Sequence, residues 1–168
     1  MKVVVVVGNP KPASRTVRAA NLLAESLGGT PADIVVDIVD LGAGILGWGD
    51  PGTKAAVEAV ADANVVVFGS PTFKASYTGL LKLFLDQFAT GDGLLGTVAI
   101  PLMLGAGPAH AMAPDLLLKP VLVELGATCP TPGLYLLDNA FEDGVAIEKF
   151  SSRWRPVIAG CVSTWSKT

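Results

Sequence analysis

The sequence predicts an α/β protein in which five parallel strands form one doubly wound sheet with helices on both faces. Three observations carry that expectation. Short apolar runs alternate with longer segments whose apolar residues recur at helical spacing, the pattern of a parallel sheet wrapped by helices. Polar loops rich in glycine and proline follow the first and third runs directly, at Gly8–Thr16 and Gly69–Tyr77. At 168 residues the chain suits a single domain over 1–168, large enough to bury a core without disulfides.

Strand one is Lys2 to Val7, and helix one runs from about Arg15 to Leu27, stopping at Gly28-Gly29, a plausible C-terminal cap. Strand two, Asp33 to Val39, alternates as an edge strand does. Leu41 to Gly52 reads as a glycine-rich loop around Trp48, and helix two follows from Thr53 to Ala61. Strand three is Asn64 to Phe68. Helix three spans Thr78 to Phe88, with Leu80, Leu81, Phe84, Leu85 and Phe88 at core spacing. Strand four covers Thr97 to Leu104, and helix four Ala113 to Leu125, with Pro114 in its first turn, where a missing N–H is harmless. Strand five lies near Gly133 to Leu137, and the last helix runs from Asp143 to Trp165 with a kink or break expected at Pro156. Five strands and five helices in this order fit the flavodoxin-like fold, strand order 2-1-3-4-5. Its ligand crevice lies outside the carboxyl ends of strands one and three, where the two polar loops converge.

Those loops point to a planar, phosphorylated ligand. Ser14, Arg15 and Thr16 stand at the start of helix one, where unpaired N–H groups and the helix dipole favour an anion. Asn9 and Lys11 lie in the same loop. The G-x-G-x-x-G dinucleotide signature and the G-K-[ST] ending of a P-loop are both absent. Ser14 reads equally as an ordinary N-cap and Arg15 as a solvated helix residue. Pro71, Thr72, Phe73, Lys74 and Ser76 add hydroxyls, a cation and an aromatic face, against the alternative of a solvated lysine and a loop aromatic packed on the sheet edge. After strand four, Gly105, Ala106 and Gly107 would let a flat ring approach the backbone, or form a plain glycine turn. His110 bonds the ligand or caps helix four.

Other chemistries find little support. The net charge is −3 with no basic run, so no nucleic-acid partner is expected. Charged residues make up only 16% against about 25% in typical domains, and mean hydropathy is +0.53, which favours an oligomer over a monomer. The amino-terminal valine run is too short for a signal peptide, and no segment nears the roughly 18 apolar residues of a membrane span, so a cytoplasmic protein is expected. Cys129 and Cys161 fit no metal or redox spacing and read as buried free thiols. His110 is the only histidine and lacks the carboxylate cluster of a metal site. Ser14 and Ser76 have no histidine–carboxylate partner, which argues against a serine hydrolase.

The strings Gly8-Asn9-Pro10-Lys11-Pro12-Ala13-Ser14-Arg15-Thr16, Gly69 to Gly79 and Leu118-Lys119-Pro120-Val121-Leu122 resemble the NADPH-dependent FMN reductase family, especially the reductase components of two-component alkanesulfonate-type monooxygenases. The resemblance covers nearly the whole chain and implies an NAD(P)H:FMN oxidoreductase that forms a homodimer or homotetramer. It implies FMN phosphate on Ser14, Arg15 and Thr16, with the ring between Pro71–Lys74 and Gly105–Gly107. NADPH or NADH would stack on the open ring face, and a flavin-dependent monooxygenase would receive the product. No acid, base or nucleophile is implied among the side chains. Asn9-Pro10-Lys11 replaces the family's usual Ser-Pro-Arg, keeping a cation but losing its bidentate fork. Asp115-Leu116-Leu117 lacks the tyrosine common in monooxygenase-linked members. Two alternatives share the same site: an enzyme that retains FMN and reduces quinones, azo compounds or metal oxyanions, and a non-enzymatic flavodoxin-type electron carrier.

Overall fold

Five consecutive valines leave no polar face, and the fold gives them neighbours on both sides. In the computed structural model, which describes residues 1–164, β1 (Val3–Val7) pairs with β2 (Ile34–Asp37) along one edge and β3 (Val65–Pro71) along the other. β4 (Val98–Gly105) and β5 (Leu134–Leu137) extend the sheet, all parallel, in the order β2-β1-β3-β4-β5. This is the order the sequence predicts.

The pleat sends alternate valines of β1 into two separate cores. Val3, Val5 and Val7 pack beneath α1 (Arg15–Gly28) and α5 (Val145–Thr164), against Leu23, Leu27 and Phe150. Val4 and Val6 face α2 (Pro51–Ala61), α3 (Gly79–Leu85) and α4 (Lys119–Glu124), through Val60, Phe84 and Leu122. Each buried valine contributes about 1.5–3 kcal/mol, so β1 is the spine of both layers.

Several boundaries differ from expectation. β3 runs on through Gly69, Ser70 and Pro71, which pair with Leu102, Met103 and Leu104 of β4, where the expected strand stops at Phe68. α3 ends at Leu85 rather than Phe88. β2 ends at Asp37, opposite Val7, the last residue of β1, so no partner strand remains beyond it. Ile38–Leu46 tightens instead into 3-10 turns broken at Gly42 (φ 57°), which bury Ile45 while Gly42, Ala43, Leu46 and Trp48 stay exposed. α2 begins at Pro51 because Asp50 caps it, its Oδ1 accepting from the Thr53 N–H at 2.7 Å. The expected helix four is interrupted: Pro114–Leu118 is a π turn closed by the Lys119 N–H on the Pro114 carbonyl, and α4 follows. Pro120 has no N–H for the Leu116 carbonyl, which disfavours an uninterrupted α-helix there. α5 runs through Pro156 without breaking; the expected terminus at Trp165 lies outside the described residues.

Cys129 and Cys161 are free, as expected, but each is partly rather than fully buried. Burial pushes the Cys129 thiol up to about 11, with Lys119 opposing the rise and Asp115 adding to it.

One close approach places the ligand loops. The Gly8 backbone rests on α3 so tightly that a Cβ there would lie 2.4 Å from Leu81 Cβ and 2.8 Å from its nitrogen. Thr78 caps α3: its hydroxyl accepts from the Leu81 N–H at 3.1 Å and donates to the Gly8 carbonyl at 2.5 Å. The Thr78 N–H donates to Ser70 Oγ at 3.0 Å, so the ends of β1 and β3 share one buried knot.

Gly8→Ala should destabilise the protein by about 1–3 kcal/mol through overpacking against helix backbone, read as a lowered urea midpoint; an unchanged midpoint would refute the contact. Cys129, with a pKa of about 11, holds about one thiolate per thousand at pH 8. It should react with Ellman's reagent far more slowly in the folded protein than in urea, and equal rates would show the thiol is not held in this environment.

Candidate functional site

The cleft forms where the sheet frays into loops. A cavity of about 580 Å³ opens at the carboxyl ends of β1, β3, β4 and β5, lined by Asn9, Lys11, Ser14, Arg15 and Thr16 on one side and Pro71, Thr72, Phe73, Gly105 and Ala106 on the other. Ten of the fourteen residues expected at a site therefore meet in one cleft. Gly107 and His110 line an adjoining hollow of about 300 Å³ that shares Thr72, Gly105 and Ala106 with it. Lys74 and Ser76 line neither.

The first loop owes its shape to its own side chains. Asn9 Oδ1 accepts from the Lys11 N–H at 2.9 Å, an Asx turn, while its Nδ2 donates to Thr16 Oγ1 at 3.1 Å. Ser14 is the N-cap of α1, its Oγ accepting from the Val17 N–H at 3.4 Å. Ser14 and Thr16 are buried, and Lys11 and Arg15 are exposed at the mouth. Asp37, at the end of β2, steadies the loop by accepting from the Ala13 N–H at 3.1 Å, where Ala13 adopts φ 49°. Burial raises the Asp37 carboxyl above the ordinary range, the Ala13 N–H opposes this, and Asp40 adds to it.

The second loop folds back on itself. Phe73 and Ser76 exchange backbone hydrogen bonds of 2.9 and 3.1 Å around Lys74 (φ 50°) and Ala75 (φ 69°). This two-residue turn carries Lys74 to the exposed tip and leaves half-exposed Phe73 at the cleft rim. Thr72 lies deeper: its N–H donates to the Leu104 carbonyl at 2.6 Å, and its buried Oγ1 has no hydrogen-bond partner. Thr72 lines the cleft, but this hydroxyl oxygen is itself covered, next to Gly105.

The third loop is kept thin by necessity. A Cβ on Gly105 would sit 1.8 Å from the Tyr135 hydroxyl and 3.4 Å from Thr72 Oγ1. The Tyr135 hydroxyl donates to the Gly107 carbonyl at 2.7 Å and so fixes the turn.

Three polar participants escaped the sequence reading: Tyr135, Arg18 and Asp138. Asp138 directly follows β5, and the rule that ligands gather at carboxyl ends of strands was a usable signal for it. Arg15 Nη1 donates to the Asp138 carbonyl at 3.1 Å, and its Nη2 lies 3.3 Å from Asp138 Oδ2. Arg18 pairs likewise with Glu142 at 2.8 Å. Among the described residues no group of three or more His, Cys, Asp or Glu is arranged to hold a metal, and no helix is long and apolar enough to cross a membrane.

Cations and a helix start at one end, with small residues at the other, suit a phosphorylated flat ligand, and FMN is of that kind. Known proteins agree. The family model described as NADPH-dependent FMN reductase matches residues 1–142. The FMN reductase (NADPH) of Escherichia coli (strain K12) is 29% identical over 156 residues, covering 85% of this chain and 76% of that protein. The NADH-dependent FMN reductase SfnF of Pseudomonas putida is 29% identical, covering 88% and 83% respectively. The solved apo form of an NADH:FMN oxidoreductase aligns with a TM-score of 0.82 and 28% identity, over 99% of this chain and 90% of that one. By both sequence and fold, this chain belongs to the NADPH-dependent FMN reductase family.

Proposed function

We propose that the protein reduces free FMN with NADPH or NADH and hands the product to a flavin-dependent monooxygenase. The observation that carries the reading is the cleft itself. Its phosphate-sized cationic end and its thin, donor-bearing end lie within one cavity of about 580 Å³.

Each part of the chain has a task. The N–H groups opening α1 receive the phosphate, and Lys11 and Arg15 neutralise it. The backbone of Gly105, Ala106 and Gly107 receives the polar edge of the ring, where fixed donors favour a ring gaining negative charge. Phe73 at the rim shelters one side of the ring and leaves the other open to a nicotinamide. Bound there, FMN supplies the hydride-accepting chemistry, and the protein contributes alignment at near-attack distance. No side chain needs to act as nucleophile or general base.

A dimer or tetramer is the assembly we propose. Phe73, Met112, Leu116 and Leu117 are exposed, and the last three surround a hollow of about 210 Å³ with Ala75 and His110 beside the cleft. A second copy would cover this apolar rim, in keeping with a surface poor in charge.

Flavin-stripped protein should consume NADPH or NADH in air at a rate that rises and saturates with added FMN. No turnover despite FMN binding would overturn the reductase reading and leave a carrier or binding module. Light scattering should give a mass of at least two chains, reduced by the double substitution Leu116→Glu and Leu117→Glu; a wild-type monomer at micromolar concentration would overturn the assembly.

A further inference from the structure

We infer that Asp138 is an affinity-lowering residue, a built-in competitor for the phosphate that keeps FMN exchangeable. This rests on the proposal that FMN occupies the cleft. Asp138 occupies both terminal nitrogens of Arg15, one through its backbone carbonyl at 3.1 Å and the other through its carboxylate at 3.3 Å. That two-pronged fork is the one a phosphate would use. A phosphate at the start of α1 gains Arg15 only by displacing Asp138.

The displaced carboxylate can swing only about its own short side chain, because its main chain is held. The Asp138 N–H donates to the Gly105 carbonyl at 3.0 Å, which pins the residue to the end of β4 in the cleft wall. A negative charge therefore remains near the phosphate after Arg15 has turned. The carboxylate is the more sheltered partner, 28% exposed against 59% for the Arg15 side chain, so screening by water is incomplete. Arg18 is similarly engaged by Glu142 at 2.8 Å. Two of the three cations lining the cleft thus begin neutralised. A site built for permanent retention has no use for such competition, whereas a site that must release its product does.

Asp138→Asn keeps the backbone contacts and shape while removing the charge. Flavin fluorescence quenching should show FMN binding about tenfold tighter in the variant at low salt, with slower release in stopped flow and a smaller gain at high ionic strength. Riboflavin, which lacks the phosphate, should bind wild type and variant equally. Unchanged or weaker FMN binding would overturn the inference and make Asp138 a positioning residue for Arg15. Equal tightening of riboflavin would overturn it as well. Failure of the wild-type protein to bind FMN at all would instead strike the proposed function itself. Asp138→Ser, which also removes the charge but not the main-chain bonds, should tighten FMN in the same direction.

Discussion

The Thr78 hydroxyl, held between the Gly8 carbonyl and the Leu81 N–H, is the contact on which the site depends. Each such buried bond contributes about 1 kcal/mol, a modest sum, but its geometric effect is larger. α3 has only seven residues and would not persist alone in water. Burial of Leu81, Phe84 and Leu85 holds it, and its first turn then fixes where both β1 and β3 let go of the sheet. The distance between the phosphate loop and the Thr72 loop is therefore a property of core packing rather than of the loops.

Charge in the cleft is local and compensated. The chain carries −3 overall, yet Lys11, Arg15 and Arg18 gather at one mouth, where Asp138 and Glu142 meet two of them. Net charge explains nothing here. The field a phosphate meets is set by which carboxylates can move away, and backbone pairing decides that for Asp138.

The sequence disclosed the strand order and most of the cleft because both follow from short-range signals. Runs such as Val3–Val7 and Val65–Phe68 mark buried parallel strands, and polar residues just after them mark the crevice. What it hid depends on lateral neighbours. Tyr135 reaches the site only because β5 lies beside β4, and Gly105 must be glycine for that phenol rather than for its own turn. Lys74, expected beside the ligand, stands at the exposed tip of its loop because two consecutive residues adopt positive φ, which no spacing signal announces. The π turn at Pro114–Leu118 was equally hidden, since the apolar spacing of that segment is compatible with an ordinary helix.

Asn9 lends the cleft a durability that its geometry alone does not reveal. Asparagines age in solution when the next residue's backbone nitrogen attacks the side-chain amide, closing a succinimide that reopens largely as aspartate or isoaspartate. Residue 10 is proline, whose nitrogen carries no hydrogen and cannot follow that route. The amide that spans the first loop, from the Lys11 N–H to Thr16 Oγ1, is thereby protected from becoming an acid. Exposed Asn139, followed by alanine, has no such safeguard. Slow chemical damage would thus reach the outer turn beside Asp138 long before it placed a new negative charge beneath the phosphate.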